Sequence, residues 1–273
     1  TSTGTDTVFG DNGLITWDTA GRITGFESTQ LDLGGNDAIA VGDGENTVVG
    51  GYGNDQIVTG GGSDLVLGDN GEVSYTPGTE QLAHVVSTDA GNGTGGNDEI
   101  VSGEGDNVVV AGVGADSVSA GSGSDLVIGD NGRIDWTAAG EDSQFQTSDL
   151  GLGGNDDLRV GDGDNLVAGG YGADVIETGV GLDGILGDNG SFEYTTDGSG
   201  NAILTLAETT DSTAATGGND VIVSGGGTAD NLVLAGMGDD RVNQPAQSGS
   251  EPVPATSTGT DTVFGDNGLI TWD

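Results

Sequence analysis

The chain has 273 residues, of which 57 are glycine and none is cysteine. Four basic and 45 acidic residues give a net charge of −41, which excludes nucleic acid and anionic membrane surfaces as partners unless that charge is neutralised. Without cysteine there are no disulfides, thiolate nucleophiles or sulfur-ligated zinc. No apolar run is long enough to span a membrane.

The chain is built from repeats. Its first 18 residues, TSTGTDTVFGDNGLITWD, return unchanged at 256–273, a period of 255 residues. Within that period the string GDNG recurs at intervals of 58, 61, 58 and 78 residues, and the string GGND opens each unit. We therefore divide the chain into a partial unit, 1–33, and four units, 34–94, 95–152, 153–216 and 217–273.

Each unit begins with a block in which acidic or amide residues lie nine positions apart; the fourth block has extra residues. The blocks are 34–71, 95–132, 153–190 and 217–268, the last with a Pro- and Ser-rich insertion at 244–258 that we expect to be a loop or joint. Valine, isoleucine or leucine follows every one of these residues two positions later, and glycine nearly always precedes it by two. The residues are Asp6, Asp37, Asn46, Asp55, Asp64, Asp98, Asn107, Asp116, Asp125, Asp156, Asn165, Asp174, Asp183, Asp220, Asn231, Asp240 and Asp261.

This pattern predicts an all-β chain folded as a parallel β-solenoid. A short strand carries one inward aliphatic side chain, and a glycine-rich turn reverses the chain at φ values that glycine adopts at little cost. Stacked strands would bury a continuous core that no single nine-residue piece could form alone.

A different pattern follows each GDNG. Segments 14–29, 72–88, 133–148 and 191–210 each indicate a strand, a polar turn and a second strand, so we predict one β-hairpin per unit after two solenoid coils. An aromatic residue stands at the same place in each: Trp17, Tyr75, Trp136 and Tyr194. These aromatic side chains either cover the aliphatic core or form a lateral contact or ligand surface.

The nine-residue blocks resemble the calcium-binding nonapeptide repeats of the repeats-in-toxin (RTX, hemolysin-type) family. The segment GGYGNDQIV at 50–58 fits the family pattern GGxGxDxUx without a mismatch. The resemblance implies a calcium-stabilised β-roll in which two nonapeptides form one coil and Ca²⁺ lies between turns one coil apart. It pairs Asp37 with Asp55, Asp98 with Asp116, Asp156 with Asp174 and Asp220 with Asp240, and, on the other edge, Asn46 with Asp64, Asn107 with Asp125, Asn165 with Asp183 and Asn231 with Asp261.

The chemistry of these residues favours Ca²⁺ independently, since this ion prefers six to eight oxygen ligands and glycine turns present carbonyls beside each carboxylate. Because an amide oxygen binds Ca²⁺ less well than a carboxylate, we expect the Asp–Asp edge to bind more strongly than the Asn edge. The alternative is that both columns are Asx turns without metal. The GDNG aspartates are either further ligands or turn formers. They are Asp11, Asp69, Asp130, Asp188 and Asp266.

No enzyme signature is present, and the single histidine, His84, has no partner motif, so we expect no catalysis. We predict a structural calcium-binding segment of an extracellular fibre or adhesin stalk, with several Ca²⁺ ions, about two inter-coil sites per unit. Its partners would be further copies of its own repeat, with lateral or end-to-end self-association. The alternatives are a non-catalytic secretion and folding module of an RTX toxin or hydrolase, or a recognition surface formed by the hairpins. The resemblance implies a location outside the cell or on a bacterial surface, reached by type I secretion.

Overall fold

The computed structural model describes residues 4–89, 91, 93–213, 215–243 and 261–271, and these residues form strands and turns only. Among them there is no helix long and apolar enough to cross a bilayer. The strands belong to two parallel sheets and one antiparallel sheet. The all-β solenoid predicted from the sequence is therefore confirmed. The insertion predicted at 244–258 lies outside the described residues.

The first parallel sheet, here the middle sheet, has nine strands. In spatial order they are β1 (Thr7–Phe9), β5 (Thr47–Val49), β7 (Leu65–Leu67), β11 (Val108–Val110), β13 (Leu126–Ile128), β17 (Leu166–Gly170), β19 (Gly184–Asp188), β23 (Leu232–Leu234) and β25 (Thr262–Phe264). Equivalent residues stack in register, as Val48, Val66 and Val109 do.

The second parallel sheet, here the outer sheet, has eight strands. In chain order they are β4 (Ala38–Ala40), β6 (Gln56–Val58), β10 (Glu99–Val101), β12 (Ser117–Ala120), β16 (Asp157–Val160), β18 (Val175–Glu177), β22 (Val221–Val223) and β24 (Arg241–Val242). Each is followed along the chain by a strand of the middle sheet. One coil is therefore two nonapeptides, which explains the 18-residue offset between stacked residues such as Ile39 and Ile57.

The hairpins form the third sheet, here the hairpin sheet. Its strands are β2 (Gly13–Trp17), β3 (Ile23–Ser28), β8 (Gly71–Tyr75), β9 (Leu82–Ser87), β14 (Gly132–Trp136), β15 (Asp142–Thr147), β20 (Gly190–Thr196), β21 (Ala202–Thr209) and β26 (Leu269–Thr271). Each hairpin pairs with the next, as β3 does with β8 and β9 with β14. The predicted hairpins are present, and they lie side by side along the solenoid.

Two cores hold the three layers together. The central residues of the middle and outer strands, including Val48, Ile57 and Val66, meet in the first core and have no solvent exposure. Burying each such side chain contributes about 1.5–3 kcal/mol. Outward residues of the middle sheet, such as Leu67 and Ile128, form the second core with hairpin residues that include Phe145. The middle sheet is thus covered on both faces.

The aromatic column lies at the margin of this second core. Tyr75, Trp136 and Tyr194 pack against it as partly buried side chains. Trp17, on the first hairpin, is 59% exposed. Three of the four therefore help to cover an aliphatic core, although it is the core between the middle and hairpin sheets.

Candidate calcium sites

One edge of the solenoid carries a continuous column of aspartates, here the aspartate ladder. The backbone N–H of Asp37 donates to Oδ1 of Asp55, one coil further on, at 2.7 Å. The same bond recurs at 2.7 to 3.0 Å from coil to coil. The ladder consists of Asp37, Asp55, Asp98, Asp116, Asp156, Asp174, Asp220 and Asp240. The structure thus stacks every pair expected on this edge, and it also joins the pairs across the hairpins.

The second oxygen of each ladder aspartate has no hydrogen-bond partner. In all eight residues Oδ2 is buried and accepts no hydrogen bond. Leaving a buried polar atom unpaired costs about 1–3 kcal/mol, and more when the group is charged. In the seven aspartates from Asp55 to Asp240, Oδ1 already accepts a backbone N–H, so these carboxylates lack only a ligand for Oδ2.

The surroundings of these carboxylates disfavour a bare negative charge. Burial, with the charges of neighbouring aspartates adding to it, raises the pKa of Asp55 to about 7, of Asp116 to about 8 and of Asp220 to about 9. Arg22 and Arg159 pair instead with carboxylates at the surface. Stacked aspartates in such a site require protons or a cation.

The donor set at this edge fits Ca²⁺. A Cβ placed on Gly10 would overlap both Oδ2 of Asp37 and the backbone oxygen of Gly50, so a carboxylate oxygen and a carbonyl oxygen converge there. The same convergence recurs at Gly68 and Gly129 along the ladder. Hard oxygen donors of both kinds are what Ca²⁺ prefers. Within the described residues no three acidic or histidine side chains converge on one point, so backbone carbonyls must complete any site.

The opposite edge carries a column of alternating aspartate and asparagine, here the mixed ladder. Backbone N–H groups again donate to Oδ1 of the next coil, at 2.9 to 3.2 Å. Its residues are Asp6, Asn46, Asp64, Asn107, Asp125, Asn165, Asp183, Asn231 and Asp261. The pairs expected on this edge are therefore stacked as well.

The asparagine side chains of the mixed ladder form hydrogen bonds with groups of the chain itself. Nδ2 of Asn46 donates to the carbonyl oxygens of Gly42 and Gly44 in its own turn, at 2.9 and 3.0 Å, and to Oδ1 of Asp64 at 2.9 Å. Asn107 and Asn165 repeat this arrangement. The asparagine amides thus donate to carbonyls of their own turn, which differs from an Asx turn, where the side-chain oxygen accepts a local backbone N–H.

The aspartates of the mixed ladder differ from one another. Oδ2 of Asp64 and of Asp125 is buried without a hydrogen-bond partner, whereas Oδ2 of Asp183 accepts a hydrogen bond from the hydroxyl of Thr178 at 2.7 Å. Burial raises the pKa of Asp125 to about 6. This ladder therefore has fewer unpaired oxygens and half the density of carboxylates.

The GDNG aspartates bind backbone groups of other turns. Asp69 accepts N–H groups from Gly96, where the chain re-enters the solenoid after the hairpin, and from Val113 in the next coil, at 3.0 and 2.5 Å. Asp130 and Asp188 make the equivalent pairs of bonds, and Asp11 accepts from Tyr52 at 2.8 Å. These carboxylates fasten both ends of the hairpin insertion to the coils.

Three of the fastening aspartates, Asp69, Asp130 and Asp188, are themselves buried near the ladder. Burial, with the charges of Asp98, Asp89 and Asp116, raises the pKa of Asp69 to about 11. Asp266 is exposed at the last described turn. The aspartate edge therefore holds more carboxyl groups than the ladder alone supplies, and their burial together favours the protonated form.

The sequence analysis did not identify two buried aspartates, Asp89 and Asp211. Asp89 binds the side-chain and backbone nitrogens of Asn70, at 2.9 and 3.0 Å, and Asp211 does the same for Asn189. Both aspartates follow a hairpin directly, in the strings STD and TTD. That shared position was the available signal. His84 contacts Ser74 at 2.9 Å and lies on the hairpin sheet, away from both ladders.

The fold and its turn chemistry define a class, the parallel β-solenoid with oxygen-lined turns. The sequence model of the RTX calcium-binding nonapeptide repeat (4 copies) matches residues 33–72, 92–127 and 150–185. The repeats in these residues are therefore of the RTX calcium-binding nonapeptide type, a type of repeat that is typical of secreted proteins. No curated protein and no solved structure matches the chain significantly.

Proposed function

We propose that this chain is a structural segment of a long extracellular fibre or adhesin stalk, folded and stiffened by Ca²⁺. The observation that carries the proposal is the aspartate ladder, in which each of eight aspartates has a buried carboxylate oxygen without a hydrogen-bond partner. Cations held between the stacked aspartates would satisfy those oxygens and remove the repulsion between the stacked charges.

The ions would lie between coils, about two sites per unit. On the aspartate edge, Asp37 with Asp55 and the equivalent pairs would hold Ca²⁺ together with carbonyls such as that of Gly50. On the mixed edge, the unpaired oxygens of Asp64 and Asp125 would hold it more weakly. The GDNG aspartates lie beside the first set, but their oxygens already accept backbone N–H groups.

Calcium would couple folding to location. An ion that binds the folded turns and not the unfolded chain stabilises the fold by mass action. With a net charge of −41, the chain is strongly self-repelling when no cation is bound. We propose that it stays unfolded at low intracellular calcium, passes a type I secretion channel in that state, and folds outside the cell.

The repeated 18 residues support a continuous stalk. Strand β1 pairs with β5 in register Val8 to Val48, and the identical strand β25 pairs on its other side with β23. In a tandem array, β25 would receive the next β5 in the register that β1 displays. Each 255-residue period would then add eight strands to the middle sheet, or about 40 Å at about 4.8 Å per strand.

Small-angle scattering can test the stalk directly. A chain with two consecutive 255-residue periods, measured in Ca²⁺ beside the present chain, should be longer by about 40 Å. Matched samples in Mg²⁺ control for general divalent screening. Scattering that fits only a broad distribution of lengths would reveal a flexible joint between periods and would contradict a stiff stalk.

A further inference from the structure

A long groove runs along the solenoid between the middle sheet and the distal halves of the hairpins. Its volume is about 1190 Å³, and residues from Thr5 to Tyr194 line it. It exists because the hairpins contact the middle sheet through the third residue of each strand, such as Leu67, and leave the row of first residues less covered. The row crosses seven successive strands or turns, about 30 Å at about 4.8 Å each.

Two walls of the groove are apolar or aromatic. The row of first residues includes Leu65, Val108, Leu126 and Leu166. Facing it are Tyr75, Trp136 and Tyr194, one from each of three hairpins. Because one hairpin follows every two coils, these aromatic residues recur about every 10 Å along the groove.

The rim of the groove is acidic with the same period. Glu45, Asp106 and Asp164 each precede an asparagine of the mixed ladder and line the groove. Oδ1 of Asp106 accepts the N–H of Ser124 at 2.8 Å, which fixes the carboxylate. Oδ1 of Asp164 accepts the N–H of Leu182 at 2.8 Å in the same way.

The balance of charge in the groove is negative. Glu80 and Asp142 add two more carboxyl groups, and Arg22 is the single basic side chain among the described lining residues. Arg22 is already paired with Asp18 at 2.8 Å and donates to the carbonyl of Gly78 at 2.7 Å. A neutral ligand would leave the rim carboxylates without cationic partners, and an anionic ligand would be repelled.

We propose that this groove binds linear polyamines. Methylene segments would lie along Leu65, Val108, Leu126 and Leu166, and ammonium groups would meet the rim carboxylates. Aromatic side chains within reach of an ammonium group add a cation–π attraction. The groove is separate from the aspartate ladder and adjoins the mixed ladder, whose asparagines Asn46, Asn107 and Asn165 line it. Its occupation does not depend on the stalk proposal.

The test is a titration with spermine of the calcium-saturated chain at physiological ionic strength. In a Trp17→Phe/Trp272→Phe background, Trp136 is the remaining tryptophan and reports on the groove. We expect a saturable change in its fluorescence. The triple variant Glu45→Gln/Asp106→Asn/Asp164→Asn should raise the Kd by about tenfold or more.

A matched control removes the same number of charges elsewhere. Glu99→Gln/Asp157→Asn/Glu177→Gln changes strands of the outer sheet, outside the groove, and should raise the Kd by less than about twofold. Leu126→Lys, which adds an ammonium group to the apolar row, should abolish the fluorescence change. Circular dichroism in Ca²⁺ verifies that each variant keeps its strands.

Three results would overturn the proposal. Equal weakening by the two triple variants would show diffuse attraction to a polyanion. If the protein is folded and spermine does not change the fluorescence of Trp136, the groove does not bind polyamines. A stronger response to a neutral chito-oligosaccharide would make the groove a glycan site. Loss of strand signal at saturating Ca²⁺ would instead count against the calcium proposal.

Discussion

The two edges of the solenoid have the same backbone bonds and different side chains. In the aspartate ladder, one carboxylate oxygen accepts a backbone N–H and the other is buried without a partner at every step. In the mixed ladder, every second residue is an asparagine whose Nδ2 binds the turn carbonyls and the next aspartate. On the mixed ladder the asparagine amides thus satisfy their neighbours, whereas the aspartate ladder needs protons or a cation.

The comparison separates two ways to hold a glycine-rich turn. The asparagine turn is complete at any calcium concentration, because its donors and acceptors belong to the chain. The aspartate turn is incomplete without a proton or a cation, because its carboxylates lie close together in a buried site. Calcium dependence should therefore come mainly from one edge of the molecule.

The largest expected effect is on the calcium concentration needed for folding, when three carboxylates of the aspartate ladder are replaced and the matched change is made on the mixed ladder. Asp98→Asn/Asp116→Asn/Asp156→Asn should raise the calcium concentration at the folding midpoint by about a hundredfold, because ligands at consecutive steps are lost. Asp64→Asn/Asp125→Asn/Asp183→Asn, the matched change on the mixed ladder, should raise it by less than about tenfold. Circular dichroism during a calcium titration measures both midpoints. Equal shifts would contradict the difference between the edges.

The next largest expected effect is that of pH on the stability of the chain in the presence of chelator. The pKa of Asp55 is raised to about 7 and that of Asp116 to about 8, against about 3.9 in an unfolded chain. As the pH rises above about 4, the unfolded state loses these protons first, so the free energy of unfolding falls until the folded pKa values are passed. With chelator, the chain should be most stable in acid and least stable above about pH 8.

Calcium should reverse that trend, since ions replace the protons on the ladder and bind less well in acid. Thermal unfolding at several pH values, with chelator and with saturating Ca²⁺, measures both curves. The Asp98→Asn/Asp116→Asn/Asp156→Asn variant is the control and should flatten the chelator curve. Stability that rises with pH in chelator would show that these carboxylates have other charge partners.

Single alanine substitutions compare the edges at one step. In Ca²⁺, Asp55→Ala removes a proposed calcium ligand and should cost about 3 kcal/mol. Asn46→Ala removes hydrogen bonds to Gly42, Gly44 and Asp64 and should cost about 1–2 kcal/mol. Chemical denaturation gives both values. If Asn46→Ala proved the more costly change, the ranking of the edges would be wrong.

The smallest effect concerns an aspartate of the mixed ladder that has its own donor. Thr178→Val removes the hydroxyl that donates to Asp183 and accepts the N–H of Gly225, and it should cost about 1 kcal/mol. Thr59 stands at the equivalent position before Asp64, and its buried hydroxyl has no hydrogen-bond partner. Thr59→Val is therefore the matched control and should be neutral or slightly stabilising. Equal losses in denaturation would show that the Thr178 bond contributes nothing.

The sequence predicted the features whose cause is local. A nine-residue spacing places Val48 above Val66 and Asp37 beside Asp55, because two nonapeptides make one coil. The segments that follow each GDNG likewise predicted each hairpin and its position in the unit. These features depend on residues at most 18 positions apart, a distance over which the pattern is regular.

The sequence did not predict how the hairpins are used. Pairing of β9 with β14 joins residues more than 40 positions apart, and no repeat pattern specifies it. The step from Asp55 to Asp98 is hidden by an intervening hairpin in the same way. The role of Asp69 depends on where Gly96 and Val113 lie in space. Local turn chemistry therefore could not decide between ligand and turn former.

The central claim is that calcium completes the aspartate ladder and thereby folds the chain. The most direct test is far-ultraviolet circular dichroism of the chain during a Ca²⁺ titration from chelator at neutral pH, with Mg²⁺ as control. The account predicts a cooperative coil-to-strand transition that Ca²⁺ produces and Mg²⁺ does not. The same strand signal with and without chelator would contradict it, because the ladder would then be stable without a cation.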